Sequence, residues 1–273
     1  MSLGRLASIH TYPVKGCRRV DQVAAPVEPW GLAGDRRWML VDQDGIGITQ
    51  REATALATLR PAPLAGGLVL RAAGRVDLEV AEPARGEQIS VRVFRSKEPV
   101  SARAAGRAAD QWVTALLDRP ARLVWLDVPP TLPERRLLRT ADDRVSFADA
   151  YPLLLTTAAS LDALNGWLAD AGEEAVPMTR FRPNLVVDGV PAWAEDGWLG
   201  RRVRIGSVTF RAAEACDRCV VTTTDQETGV RGKEPLRTLA VQRRFGQDLL
   251  FGVNLIPDGD GKVAIGDVVE PLP

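Results

Sequence analysis

Histidine is almost missing from this chain: His10 is the only one in 273 residues. Hydrolysis by a Ser-His-Asp set, Cys-His catalysis and a histidine-based metal site would all have to depend on that one residue, inside a strand-like run. A packed or surface role is the better reading of His10. Cysteine is scarce too, three residues and an odd number, which argues against a disulfide framework and for a reducing compartment. Neither sign of charge is in excess, since Lys plus Arg and Asp plus Glu stand at 35 each. Without a global basic field, sequence-independent nucleic-acid binding is excluded, and any anion site must be local. No apolar run is long enough to span a membrane, and Met1-Ser2-Leu3-Gly4-Arg5-Leu6 lacks the apolar stretch of a signal peptide. The expectation is a cytoplasmic protein with no membrane and no nucleic-acid partner. Gly-x-Gly-x-x-Gly and Walker sequences are absent as well, so nucleotide binding through such loops has no support.

What is present is apolar content of 45%, enough for a substantial core in one large domain or two closely packed smaller ones. The first hundred residues read as short strands cut by glycine and proline: 6–12, 38–42, 68–72, 76–80 and 89–94. Residues 106–118 then carry Trp112, Ala115 and Leu116 at helical spacing, and 123–126 read as a strand. The charged, proline-containing stretch 129–144 is the expected exposed connector. Beyond it, Thr156 or Thr157 caps a helix with Leu161, Leu164, Trp167 and Leu168 on one face. Strands are expected at 185–187, 203–205, 208–211 and 220–223, making the fold mixed but β-rich, with a few helices.

Chemistry concentrates in Ala215-Cys216-Asp217-Arg218-Cys219. A thiolate binds soft metals or carries sulfur, and a neighbouring cation favours its formation, so Arg218 marks one of these sulfurs as a candidate ligand. Structural zinc fails for want of a second cysteine pair, and a thioredoxin-like pair needs a helix start where β-branched residues follow here. Tyr12-Pro13-Val14-Lys15-Gly16-Cys17 delivers a lysine on a tight turn, either an anion clamp or a plain surface lysine. Arg180-Phe181-Arg182-Pro183-Asn184 presents guanidinium and amide donors at a strand entrance, fitted to a phosphate or carboxylate unless the arginines are simply solvated. Gly229-Val230-Arg231-Gly232-Lys233-Glu234-Pro235-Leu236 is either a cationic closing loop or ordinary surface.

Taken in order, the Tyr12–Lys15 turn, Gly34-Asp35-Arg36-Arg37-Trp38, Thr49-Gln50-Arg51, Phe147-Ala148-Asp149, Phe181-Arg182-Pro183-Asn184, Cys216-Asp217-Arg218-Cys219 running into Thr222-Thr223-Thr224-Asp225, Lys233-Glu234-Pro235-Leu236 and Ile265-Gly266-Asp267 resemble the MOSC family of molybdenum-cofactor proteins. Within it they resemble the amidoxime-reducing group of mitochondria and its bacterial relatives. The resemblance implies an N-terminal MOSC-associated β-barrel domain over residues 1–128, packed on a MOSC β-barrel domain over 129–273. It implies Cys219 as the metal ligand, with Lys15, Gly16, Arg36, Arg182 and Asn184 on the pterin phosphate or ring and Arg218 beside the metal. Thr157, at the helix start, and Asp225, as a proton donor, are further candidates.

The implied cofactor is molybdenum-bearing molybdopterin, not pyridoxal phosphate, and the implied activity is reduction of small N-hydroxylated compounds: amidoximes, hydroxylamines and N-hydroxylated bases. A sulfur-carrier or persulfide-transfer role and a non-catalytic cofactor-binding role are the alternatives. Eukaryotic relatives usually carry serine after the turn lysine, whereas Gly16 offers only its backbone N–H. No cysteine follows Cys219, so no iron–sulfur cluster is expected in this chain. Electrons are then expected from a separate donor protein of ferredoxin, flavoprotein or cytochrome type.

Overall fold

The first strand, Gly4–Thr11, turns Leu6 and Ile9 inward and Arg5 and Ala7 outward; a slip in its pairing between Leu6 and Ser8 brings two positions of opposite parity into the same core. The computed structural model describes residues 3–133 and 136–273. Met1 and Ser2 of the amino-terminal reading, and residues 134–135 of the expected connector, lie outside the described residues.

Gly4–Thr11 pairs antiparallel with Leu185–Asp188 on one side and Val268–Pro271 on the other. The sheet continues through Arg202–Ile205, Val208–Asp217, Asp248–Pro257 and Leu153–Thr157. Leu153–Thr157 then runs parallel to Leu185–Asp188 and closes a seven-stranded barrel. Closure leaves no unpaired edge on this path, and the interior is filled by side chains including Leu6, Ile9, Leu155, Val187, Phe210 and Val253. A second region joins Trp38–Val41, Arg122–Trp125, Val100–Ala104 and Gln88–Val91 in a four-stranded sheet, backed by helix α1 (Arg107–Leu117). The β-rich expectation holds, with three α-helices among the described residues.

The strands do not divide at residue 128 as the expected domains do. Gly4–Thr11 is hydrogen-bonded into the barrel otherwise built from residues 153–271, and Ala24–Glu28 pairs with Gly261–Ala264. The turn at Lys15 therefore leaves the barrel and enters the second region, where Val14 bridges to Trp38. Lys15 is thereby placed where the two regions meet.

Helix α2 (Ala158–Asp170) starts as expected, with Thr157 accepting from the Ser160 N–H at 3.2 Å. Its Leu161, Leu164, Trp167 and Leu168 pack with Phe181, Phe251 and Leu239, the last from helix α3 (Leu236–Gln242). Two expectations need correction. Val220–Thr223 is a short 3-10 helix, not a strand: the Thr222 and Thr223 hydroxyls donate back to the Cys219 and Val220 carbonyls at 3.0 and 2.8 Å, closing a turn that β-branching alone does not reveal. The stretch 129–144 is not simply exposed. Leu132 and Asp143 are buried, and Asp143 is held by the Arg211 guanidinium at 2.7 and 2.9 Å.

The pairing of Val208–Asp217 with Asp248–Pro257 slips twice, between Ala212 and Glu214 and between Ala215 and Asp217. Gly252 sits in the second slip at φ +80°, where a Cβ would lie 2.6 Å from the Leu155 carbonyl oxygen. Such bulges bend a strand and re-aim its end. Here the redirected end is the one that carries Cys216 to Cys219.

Candidate functional site

Seven of the expected site residues line one cleft of about 550 Å³: Lys15, Gly16, Arg36, Arg182, Asn184, Arg218 and Cys219. They come from separate parts of the chain and meet where the barrel adjoins the second region.

Lys15 is delivered by the turn that follows the first barrel strand, with its N–H on the Trp38 carbonyl at 2.8 Å. Only 5% of the residue is exposed. Its Nζ donates to the Phe147 carbonyl at 2.8 Å and pairs with Asp149. Burial pulls the Lys15 ammonium below its ordinary value, against the raising effect of Asp149. Burial pushes Asp149 upward, but the charge and hydrogen bond of Lys15, then Arg51 and Arg36, outweigh it and hold this half-exposed carboxylate ionised well below its usual range.

Arg36 and Arg182 both adopt left-handed backbone, at φ +50° and +55°, a costly conformation for side chains of this size. Both guanidinium groups stack on the Tyr12 ring, at 4.7 and 4.3 Å from its centroid. Tyr12 is fixed in turn by its hydroxyl on the Pro183 carbonyl at 3.0 Å. Arg36 also donates to the Asn184 side-chain oxygen at 3.1 Å and pairs with the buried Asp35. Asn184 itself is locked between strands: its Nδ2 donates to the His10 carbonyl at 3.1 Å, and its Oδ1 accepts from the Leu154 N–H at 3.2 Å. Burial draws the Arg182 guanidinium down from its ordinary value. Gly16 stands at φ +78°, and its carbonyl accepts from Gln50 at 2.6 Å.

The three thiols occupy different surroundings. Cys17 is fully buried in the second region's core, and burial pushes its thiol up to about 12. It is a packing residue. Cys216 accepts from Arg218 Nη1 at 2.7 Å, yet burial outweighs that cation and raises its thiol. Cys219 is half-buried at the start of the short 3-10 helix, with Arg51 Nη2 at 3.4 Å from its sulfur and also at 3.4 Å from Asp149 Oδ2. Arg51 thus links sulfur and carboxylate across the cleft. No group of three or more His, Cys, Asp or Glu side chains is arranged to hold a metal among the described residues. A metal bound at Cys219 would therefore need most of its ligands from outside the protein.

Two expected site residues lie elsewhere. Thr157 is fully buried and spends its hydroxyl on Ser160 and on Glu195, at 3.0 Å from Oε2. It caps a helix and does not line the cleft. Asp225 is also absent from the wall. Its Oδ1 accepts from the N–H groups of Glu227 and Thr228 at 2.9 and 2.8 Å, and Arg180 meets its Oδ2 at 3.3 Å. The Thr228 backbone bond above all holds Asp225 below its usual value, so it is unsuited to donate a proton at neutral pH. Conversely, Arg51 and Asp149 sat in recognisable motifs but were assigned no role from sequence. Their pairing with Cys219 and Lys15 spans 168 and 134 positions, beyond the reach of any local signal.

Comparison with known proteins identifies both parts of the chain. The model of the MOSC domain matches residues 142–270, and that of the MOSC N-terminal beta barrel domain matches residues 3–120. Human mitochondrial amidoxime-reducing component 1 is 33% identical, over 99% of this chain and 83% of its own. Human mitochondrial amidoxime reducing component 2 is 32% identical over 98% and 83%. The molybdenum cofactor sulfurase of Anopheles gambiae is 34% identical, over 94% of this chain but only 34% of its own length. With two domain matches in tandem and relatives alike over nearly its whole length, the chain belongs to the MOSC family.

Proposed function

We propose that this chain is a molybdenum-cofactor-dependent reductase of small N-hydroxylated compounds, fed by a separate electron-donor protein. What carries the reading is the convergence of Cys219 with Lys15, Arg36, Arg182, Arg218 and Asn184 on one cleft. The donor set fits a pterin-held molybdenum. Cys219 stands half-buried on the cleft wall beside Cys216, whose sulfur Arg218 already holds, and no protein-built metal cage exists among the described residues; this suits a metal that arrives with sulfur ligands of its own, and two stacked arginines suit an anionic handle. When bound, the cofactor supplies a metal able to exchange two electrons.

The residues of the chain have separable tasks. Cys219 offers the protein's soft ligand, and Arg51 balances its charge. Arg36 and Arg182, with Asn184 bonded to the first, grip the phosphate end. Asp149 stays ionised and so accepts a hydrogen bond from the substrate's N–H, orienting it beside Cys219. Reduction of an N-hydroxyl group breaks the N–O bond, consumes two electrons and two protons, and releases water. The electrons come from the donor protein and the protons from solvent in the cleft, since Asp149 and Asp225 both hold the charged form.

A sulfur-carrier role would rest on Cys216 or Cys219 beside Arg218; burial raises the Cys216 thiol and makes it a poor nucleophile, so the two readings compete for Cys219. Protein made in a host that synthesises the cofactor is assayed for molybdenum and for reduction of hydroxylamine and an amidoxime with a chemical donor. Stoichiometric metal with turnover is expected. Metal-free protein, or an added sulfur on Cys216 or Cys219 in alkylation mass spectrometry, would count against the proposal.

A further inference from the structure

Behind one wall of the cofactor cleft lies a second cavity of about 480 Å³ that the proposed chemistry leaves unused. Its lining is mainly apolar, with Val93, Val100, Leu126, Pro130, Val145 and Phe147 among the contributors. A volume of this order is in the range of small-molecule sites and well above what a single ring requires. Three features tie it to the cleft. Ala148, Asp149 and Ala150 line both spaces, so the two adjoin along one short stretch of chain. That shared stretch is pinned from the cleft side by Lys15, through Phe147 and Asp149. Phe94, which follows the chamber-lining Val93 in sequence, has the Lys15 ammonium and the Arg51 guanidinium over its ring, at 5.2 and 4.8 Å from the centroid.

Resting on the reductase reading, we infer that this chamber is the specificity pocket for the hydrocarbon body of the substrate. The N-hydroxyl group stays in the cleft beside Cys219 and Asp149, and an aryl or alkyl group of ring size or longer passes Ala148 into the chamber. The preferred substrates are therefore N-hydroxylated compounds with an apolar substituent, ahead of bare hydroxylamine.

The test separates binding from turnover. Calorimetry on the full-length, metal-free chain compares phenylamidine with formamidine, which present the same head with and without a ring. Wild type is expected to bind phenylamidine at least about tenfold more tightly, the scale of discrimination that apolar pockets provide. Val100→Phe and, independently, Val93→Phe fill the chamber without touching the cleft and are expected to abolish that preference. An absent preference in wild type, or one unchanged in folded filled variants, overturns the inference. Turnover by the cofactor-loaded protein is then read for hydroxylamine and the phenyl amidoxime. If the binding preference holds while neither is reduced, the chamber stands and the reductase reading falls. If both are reduced equally well in wild type and filled variants, the reductase reading stands and the chamber is refuted.

Discussion

The two ends of the cleft are built differently. At the cationic end, Arg36 and Arg182 are held by the Tyr12 ring, Asp35, Asn184 and Gln226, and both accept left-handed backbone to stand there. At the sulfur end, Cys219 touches one guanidinium at 3.4 Å and is otherwise half open. Strain that is paid for by surrounding contacts fixes geometry in advance, whereas a loosely held thiol keeps its bonding capacity for something else. On the proposed function one end would grip the cofactor and the other ligate its metal, so losses at the two ends should have different signatures.

The largest effect is expected at the sulfur end. Cys219→Ser should lower reductase turnover by more than the roughly hundredfold that loss of an outer supporting group costs a metal site, with the pterin still bound. Steady-state assays with pterin quantification check this. At the cationic end, Arg182→Lys should keep the charge but lose the planar fork, so the cofactor should dissociate about ten- to a hundredfold more readily during dialysis. If Cys219→Ser lost the pterin as readily as Arg182→Lys, the division into grip and ligand would be wrong.

A smaller effect comes from Asp149, which touches both ends through Lys15 and Arg51. Its native pKa lies below the unfolded value, so its pair with Lys15 contributes stability that is fully present above about pH 4 and is lost as pH falls through the depressed native value. Asp149→Asn should remove that part of the acid dependence of the melting temperature. The smallest effects are expected outside the cleft. Thr157→Ala should cost about 1 kcal/mol of stability through loss of a helix cap, and should leave molybdenum content unchanged.

Much of this was legible in the sequence where the signal was local. The helix at 158–170 announced itself by apolar spacing and a cap, and Lys15, Arg36 and Arg182 stood in short motifs whose glycine or proline neighbours implied turns. What stayed hidden was tertiary. The strand 4–11 looked like part of a first domain, and only its pairing with 185–188 and 268–271 assigns it to the barrel. Thr157 was read both as a cap and as a cofactor contact, and one hydroxyl buried against Ser160 and Glu195 has no capacity left for the second role. Asp225 looked like a free carboxylate at a strand end because the turn that consumes its oxygens follows it, through Glu227 and Thr228.

X-ray absorption at the molybdenum edge, on cofactor-loaded wild type and Cys219→Ser, probes the ligand directly. The prediction is one fewer sulfur neighbour at the metal in the variant. An unchanged sulfur count, with molybdenum retained in both proteins, would show that Cys219 is not the ligand.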